Sequence, residues 1–573
     1  MNYIDRISHT YARLKFPALI FILLCIKLIY MHYSVVTDKG ELTMFAYMEN
    51  IGTTFIDVGI LLFIPLFLIG KRKYFYILFF IIIDLFILTN IWYSRNFHAY
   101  FPISLFFEYN NLQGLTNNIL VSISFRDAII PLTSILAIII VYRKFSPSIT
   151  LKNRIKTSSS FFCCSLFLIA IFFSLIYLRS STPKEKFIMP YAYTPMETTF
   201  RHGIFYYFFI QIWNSESQLY SEEDLKKIEP LFFSPDIPMP QTVTKNIIII
   251  IVESLLSFAD ELKFNGQEIT PNLNQLKKEN TYYNRHMTPQ IQLGESSDGQ
   301  FIYLTGLLPL RNIVTIINHL KNQYISFPMI LKQQNKIKES RMIIPTGPTF
   351  WRQDKICSNY EIDSLFSRND FPQRNEMWLN DNEIFQLAKN KDIHTIQPFL
   401  SIILTSSTHS PYNHIIESDI TFDFPQNFSN ELKNYLTNLH YTDKQIGNYI
   451  RFLKDSHLFE NSMIIIMSDH EAHADFLNLT ANQKHITQEI PLYVINSPIA
   501  ITKSSEETIK QMDIFPTLLD LTGIQSSWRG VGRSLLCPDS IANSPREKER
   551  RKNAQEISDI IILSDYFTTN PVK

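Results

Sequence analysis

Apolar residues are spread along this chain in two different patterns. Up to about residue 180 they form long runs, at 16–36, 51–70, 74–93, 128–142 and 160–178. A bilayer core takes roughly 20 such residues per helix, so the five runs predict transmembrane helices, the fourth being short. Beyond residue 245 the runs shrink to strand length. N-I-I-I-I-I-V at 246–252, F-L-S-I-I-L at 399–404 and M-I-I-I-M at 463–467 read as strands covered on both faces, as in a parallel sheet. M-I-I at 342–344 reads as a fourth, and an amphipathic stretch at 430–453 predicts a long helix between two of the strands. Such alternation predicts an α/β domain with a mostly parallel central sheet, preceded by an all-α membrane domain.

Charge orients the membrane part. Arg6, Arg13 and Lys15 precede the first run, G-K-R-K joins the second to the third, and Arg143, Lys144, Lys152, Arg154 and Lys156 lie between the fourth and fifth. The other connections carry few cations, so the N-terminus and both basic loops are expected in the cytoplasm. Five spans then leave everything after about Leu178 outside the cytoplasmic membrane. The first run lacks a small-residue cleavage site and reads as an anchor. Lys27 and Asp84 fall at similar depth, about 16 and 15 Å from the same face at 1.5 Å per residue, which predicts an ion pair. That pair reads either as structural or as part of a proton or substrate path. The aromatic-rich loop 94–127 reads as interfacial.

The expected division is a membrane domain at 1–180, a connector at 181–244, an extracytoplasmic α/β domain at 245–540 and a tail at 541–573. In the connector, 205–213 is apolar but too short to span, and S-P-D-I-P-M-P-Q at 234–241 is an extended linker. The tail, charged at 546–552, is assigned no role. A formal net charge of +0 argues against a nucleic-acid binder. Of five cysteines, Cys357 and Cys537 lie in the soluble part and could pair; no C-x-x-C zinc spacing occurs.

Three strand ends carry reactive groups. Glu253 follows the first strand, T-S-S-T-H-S-P-Y with His409 follows 399–404, and S-D-H-E with Asp469 and His470 follows 463–467. Ligands of open α/β sheets sit at the carboxyl ends of the strands, so these groups are expected to gather on one edge. Glu253, Asp469 and His470 form a donor set suited to a divalent cation, with Mn2+ the expected ion and Zn2+ or Mg2+ the alternatives. Q-L-G-E-S-S-D-G-Q-F at 292–301 places Ser296 at a helix start, where backbone N–H groups favour anions. Ser296 reads either as a helix cap or as a metal-activated nucleophile.

Taken together, N-I-I-I-I-I-V-E-S, T-P-N-L, G-E-S-S-D, F-W-R-Q-D, S-S-T-H-S-P-Y, M-S-D-H-E and D-I-F-P-T-L-L-D-L-T-G resemble the sulfatase/alkaline-phosphatase superfamily. With the five apolar runs, the whole chain resembles its lipoteichoic acid synthase group of phosphoglycerol transferases. The resemblance implies Ser296 as nucleophile and fourth metal ligand beside Glu253, Asp469 and His470. It implies His409 against the substrate phosphoryl group and Trp351 in the substrate pocket. It also implies a membrane phospholipid donor and an envelope glycan or glycolipid acceptor. Two departures stand out. The group's F-W-x-R-D is here F-W-R-Q-D, so Arg352 comes one place early and Gln353 stands where arginine is expected. Residues 344–346 also lack a His-Gly-Asp. These changes bear on head-group identity, and Arg352 is kept as the basic candidate of the pocket. No C/S-x-P-x-R context for formylglycine surrounds Ser296 or Cys357, which argues against a true sulfatase. A tethered phosphodiesterase- or sulfatase-type hydrolase, a phosphoethanolamine transferase and a catalytically silent sensor or transporter are the competing readings.

Overall fold

The computed structural model describes residues 3–37, 52–62, 73–97, 99–107, 122–144, 195–213, 222–226, 245–371, 378–412, 421–474 and 477–569, with isolated positions between. The chain falls into two compact units, one mostly within the first 213 residues and one mostly beyond them.

In the first unit the helices Tyr3–Thr37, Lys73–Phe97 and Ile129–Lys144 pack together. Leu24, Leu28, Phe80, Ile87 and Ile91 fill their common core, while Leu78, Ile82, Leu85, Leu132 and Leu136 face outward. Helices apolar both inside and out suit lipid surroundings. Ala18–Val35 and Phe75–Arg95 are long and apolar enough to cross a membrane. The five-span expectation is thus reproduced only in part among the described residues. Ile129–Lys144 has 16 residues, the second run is described only over the shorter helix Gly52–Leu62, and the fifth lies outside the described residues apart from single positions.

Lys27 and Asp84 do meet, at 2.6 Å. Lys27 Nζ also donates to the Ser134 hydroxyl at 2.9 Å, and Ser134 donates to Asp84 Oδ1 at 2.9 Å. The pair thereby joins all three long helices inside an apolar bundle. A second buried acid, Asp57, was not singled out by sequence. It accepts the Ile204 and Phe205 N–H groups at the start of the helix Ile204–Trp213. Gly203, at φ 95, leaves the room this cap needs, since a Cβ there would lie 2.7 Å from Asp57 Oδ1.

The second unit is built on an eight-stranded sheet. Its strands, together with those of a small hairpin, are β1 (Asn246–Val252), β2 (Lys263–Phe264), β3 (Gln267–Glu268), β4 (Thr281–Thr288), β5 (Glu339–Ile343), β6 (Ser364–Phe366), β7 (Phe399–Leu404), β8 (Ser462–Ser468), β9 (Ile490–Ile495) and β10 (Ile509–Lys510). The order is β10-β4-β9-β8-β1-β7-β5-β6, with β2 and β3 forming the hairpin. β1 lies parallel to both β7 and β8, and β5 parallel to β6 and β7. β9 is antiparallel to its neighbours β4 and β8 and alone runs against the described strands of this sheet. β1, β7, β8 and β9 are buried along their full length, as strands covered by helices on both faces must be. The long amphipathic helix is Asn430–Asp455, capped by Ser429.

The tail packs into this unit. The helix Ala554–Leu563 buries Ile557, Ile560, Ile561 and Ile562, its Ser558 hydroxyl accepts the Leu308 N–H at 3.0 Å, and Trp528 meets Phe567 edge-on. Cys357 and Cys537 are free thiols, so the pairing considered from sequence does not form.

Candidate active site

Register alone brings the first two acids together. Val252 pairs with Ser468, so the next residues, Glu253 and Asp469, leave the sheet side by side. Ile251 pairs with Leu404, which sets the loop after β7 alongside them. That loop grips Glu253 from its backbone: the Glu253 N–H donates to Thr405 Oγ1 at 3.0 Å, and the Thr408 hydroxyl donates to the Glu253 carbonyl. Ser254, at φ 49, donates its N–H to Asp469 Oδ1 at 2.9 Å and its hydroxyl to Glu253 Oε1 at 2.8 Å.

His470 turns its Nδ1–H to the Glu471 carbonyl at 2.6 Å, which leaves Nε2 facing the acids. Nε2 lies 3.5 Å from Glu253 Oε1 and 3.5 Å from Asp469 Oδ2. The three residues are buried and each offers one donor atom within 4.8 Å of the others.

Ser296 comes from the opposite side, on the first residue of the helix Ser296–Thr305. The cap position belongs to Glu295, at φ 46, so Ser296 is not the helix cap. Asp298 shapes the turn before it by accepting the Gln292 and Gly294 N–H groups, both at 2.9 Å. Tyr303 donates to the Ser468 carbonyl at 2.6 Å, docking the helix on the end of β8, and Gln511 braces the contact by donating to the Tyr303 hydroxyl at 3.1 Å and to the Asp469 carbonyl at 2.7 Å. Ser296 Oγ then lies 3.2 Å from Glu253 Oε2 and 3.2 Å from His470 Nε2.

The donor set fits a divalent cation. Ligand atoms on a tetrahedral ion at roughly 2.1 Å lie about 3.4 Å apart, close to the separations found here. The charges point the same way. Burial, with Glu253 adding repulsion, pushes Asp469 up to about 7. Burial lowers the His470 imidazolium, but Asp469, Glu253 and Glu295 outweigh it and carry it up to about 10. Buried carboxylates this close need positive charge, from a proton or from a metal.

A cavity of about 490 Å3, its solvent-facing space included, opens in front of Ser296. Glu253, Asp469, His409, Trp351, Trp378, Gln300 and Gln353 are among its lining residues; Arg352 is not among the described residues that line it. Trp378 stands edge-on to His409 with 4.4 Å between centroids. His409 donates Nδ1–H to the Ser410 carbonyl at 2.6 Å, and burial pushes its imidazolium down to about 4. The ring is therefore neutral near pH 7, with its lone pair on Nε2.

Sequence reasoning missed Trp378, the Gln300–Gln353 contact and the ion pair of Glu295 Oε2 with His473 Nε2 at 3.2 Å. Glu295 and His473 flank motif residues and could have been found by asking what neighbours them. Trp378 carries no such signal, because it reaches the site from a loop.

A buried acid–imidazole cluster at the carboxyl edge of a mostly parallel sheet, faced by a hydroxyl at a helix start, is the layout of a sulfatase-type α/β domain. A model of the sulfatase family matches residues 245–524, and one of the lipoteichoic acid synthase N-terminal domain matches residues 1–216. Residues 245–524 are thus similar to the sulfatase family, and the chain as a whole is similar to lipoteichoic acid synthases. It is 33% identical to the lipoteichoic acid synthase-like YvgJ of Bacillus subtilis over 301 residues, 49% of this chain and 48% of that protein. It is 29% identical to the lipoteichoic acid synthase of Staphylococcus aureus over 337 residues, 55% of this chain and 51% of that protein. The chain thus spans about half the length of the curated relatives it matches. The lipoteichoic acid synthase LtaP from Listeria monocytogenes, a solved structure, aligns with a TM-score of 0.49 at 19% identity, over 61% of this chain and 99% of that one.

Proposed function

We propose that the protein moves the head group of a membrane phospholipid, phosphoglycerol foremost, through a covalent Ser296 phosphoryl ester to a hydroxyl of an envelope glycan or glycolipid. The observation that carries this reading is Ser296 Oγ, 3.2 Å from both Glu253 Oε2 and His470 Nε2 at the cavity. The names of the curated relatives, lipoteichoic acid synthases, support phosphoglycerol as the group transferred.

Glu253, Asp469, His470 and Ser296 would hold one divalent ion, with Mn2+ the ion proposed. When bound, it supplies positive charge that favours the ionised serine and offsets the charge of the phosphate. Ser296 Oγ attacks phosphorus, and the P–O bond to diacylglycerol breaks as the Oγ–P bond forms. The serine proton ends on the departing diacylglycerol oxygen. An acceptor hydroxyl then attacks the ester, the Oγ–P bond breaks, and Ser296 regains a proton. His409, neutral and with Nε2 free of the Ser410 contact, is suited to take the acceptor's proton. Phe350, Trp351 and Trp378 line the cavity and give it an apolar wall beside the reacting groups.

The five apolar runs and the basic loops between them support a five-span anchor with this domain on the outer face, where lipid donors are present. The test is diacylglycerol release from labelled phosphatidylglycerol by the Mn2+-supplied protein. Ser296→Ala is expected to abolish release, and the unsubstituted protein to yield a Ser296 peptide heavier by one phosphoglycerol group. Release unchanged by the substitution would remove Ser296 from the reaction.

A further inference from the structure

Residues 351 and 352 depart from regular backbone. Trp351 has φ 46 and Arg352 φ 54, two consecutive side-chain-bearing residues in the left-handed region. Such conformations are held only where the surroundings enforce them. Trp351 and Gln353, either side of Arg352, line the cavity. Gln353 is 3% exposed and donates through Nε2 to Gln300 Oε1 at 3.1 Å, while its own Oε1 has no hydrogen-bond partner. A buried amide oxygen left unpaired is costly unless something fills its place. Gln300 is itself buried, stands four residues after Ser296 on the same helix, and shares that residue's face.

Two amides joined by a single hydrogen bond keep one carbonyl oxygen and one NH2 group in reserve. This holds whichever way round the two amides are placed. The pair therefore matches a group that both donates and accepts. A hydroxyl does both; an ammonium only donates, a phosphate or carboxylate only accepts, and a quaternary ammonium does neither. We propose that Gln300 and Gln353 form the head-group reader of this site, selecting a neutral, hydroxyl-bearing head group over an aminated one. The assignment rests on the phosphoglycerol reading above and adds the residues that enforce it. It also gives a use for glutamine at the position where the family resemblance leads one to expect arginine.

The test uses the full chain in vesicles with Mn2+, supplied in turn with phosphatidylglycerol, phosphatidylpropanol and phosphatidylethanolamine. Phosphatidylpropanol keeps the three-carbon head group and lacks both free hydroxyls. The expected result is a kcat/KM for phosphatidylglycerol roughly tenfold or more above the other two, the equivalent of one lost hydrogen bond. Gln353→Leu and Gln300→Leu are expected to bring phosphatidylglycerol down towards the level of phosphatidylpropanol, with the losses from residue and hydroxyls failing to add. Equal turnover of phosphatidylglycerol and phosphatidylpropanol by the unsubstituted protein overturns the reader while leaving head-group transfer intact. A phosphatidylglycerol preference that survives in a cooperatively melting Gln353→Leu protein overturns it as well. Should the variants fail to fold, the comparison of lipids on the unsubstituted protein decides. Failure to release diacylglycerol from any of the three overturns the transfer reading itself, and this one with it.

Discussion

Gly299 lies so close to Asp469 that a Cβ on it would fall 2.3 Å from the Asp469 carbonyl oxygen. The helix bearing Ser296 can approach the end of β8 only because that side chain is missing. Gly299→Ala is expected to push the helix off the turn, cost about 1–3 kcal/mol of stability as overpacking does, and move Ser296 away from Glu253 and His470. In the protein that still folds, diacylglycerol release should fall at least roughly tenfold, as small misplacements of reacting groups do. Unchanged release with unchanged melting would mean that the helix and the turn adjust freely to one another.

Removal of divalent metal should silence the proposed head-group transfer and lower the melting temperature together, because one ion would satisfy both acids. A ligand held at 100 times its dissociation constant adds about 2.7 kcal/mol. Thermal melts in chelator and in Mn2+ should therefore differ by several degrees, and Glu253→Gln should narrow the gap. Melts that coincide in chelator and Mn2+ would count against a metal at Glu253, Asp469 and His470.

Much of this site can be read along the chain, for a definite reason. Glu253 and Asp469 each end an unbroken apolar strand, and parallel neighbours of equal register deliver their next residues to one place. His409 follows by the same logic from β7. Lys27 and Asp84 could be matched because helical rise converts residue number into depth. The remainder depends on contacts between loops. Trp378 meets His409 from a segment with no periodicity, and the Gln300–Gln353 contact joins amides with no charge to flag them. The buried helix Ala554–Leu563 was hidden behind the charged run before it. The antiparallel course of β9 is likewise invisible, since a strand buried on both faces reads the same in either direction.

His409 predicts an acid limit to stability. Burial pushes its imidazolium from the ordinary 6.5 down to about 4. The folded protein favours the neutral ring more than the unfolded chain does. Its contribution is therefore complete above about pH 6.5 and is lost as the pH falls towards 4. His409→Gln removes that titration. Between pH 6.5 and 4 the unsubstituted protein should lose melting temperature faster than the variant, with the two curves keeping a constant separation above pH 7. Parallel curves throughout would show that the ring titrates as an ordinary histidine.

Lys27 and Asp84 make the corresponding case within the helical bundle. The lysine is fully buried, and its partners are Asp84, Ser134 and the Ile130 carbonyl. Removing one member leaves the other charged among apolar side chains, which costs about 3–5 kcal/mol where such pairs are broken. Asp84→Leu alone should therefore sharply reduce the amount of folded protein recovered from membranes. Replacing both, as Lys27→Met with Asp84→Leu, removes the stranded charge and should restore recovery, because a desolvated ion pair returns little net stability over well-packed apolar groups. Head-group transfer by the double variant then separates the two roles considered for the pair. Activity that returns with the folded protein marks it as structural. A well-folded double variant that stays inactive on lipid would mean that the charges take part in handling the substrate.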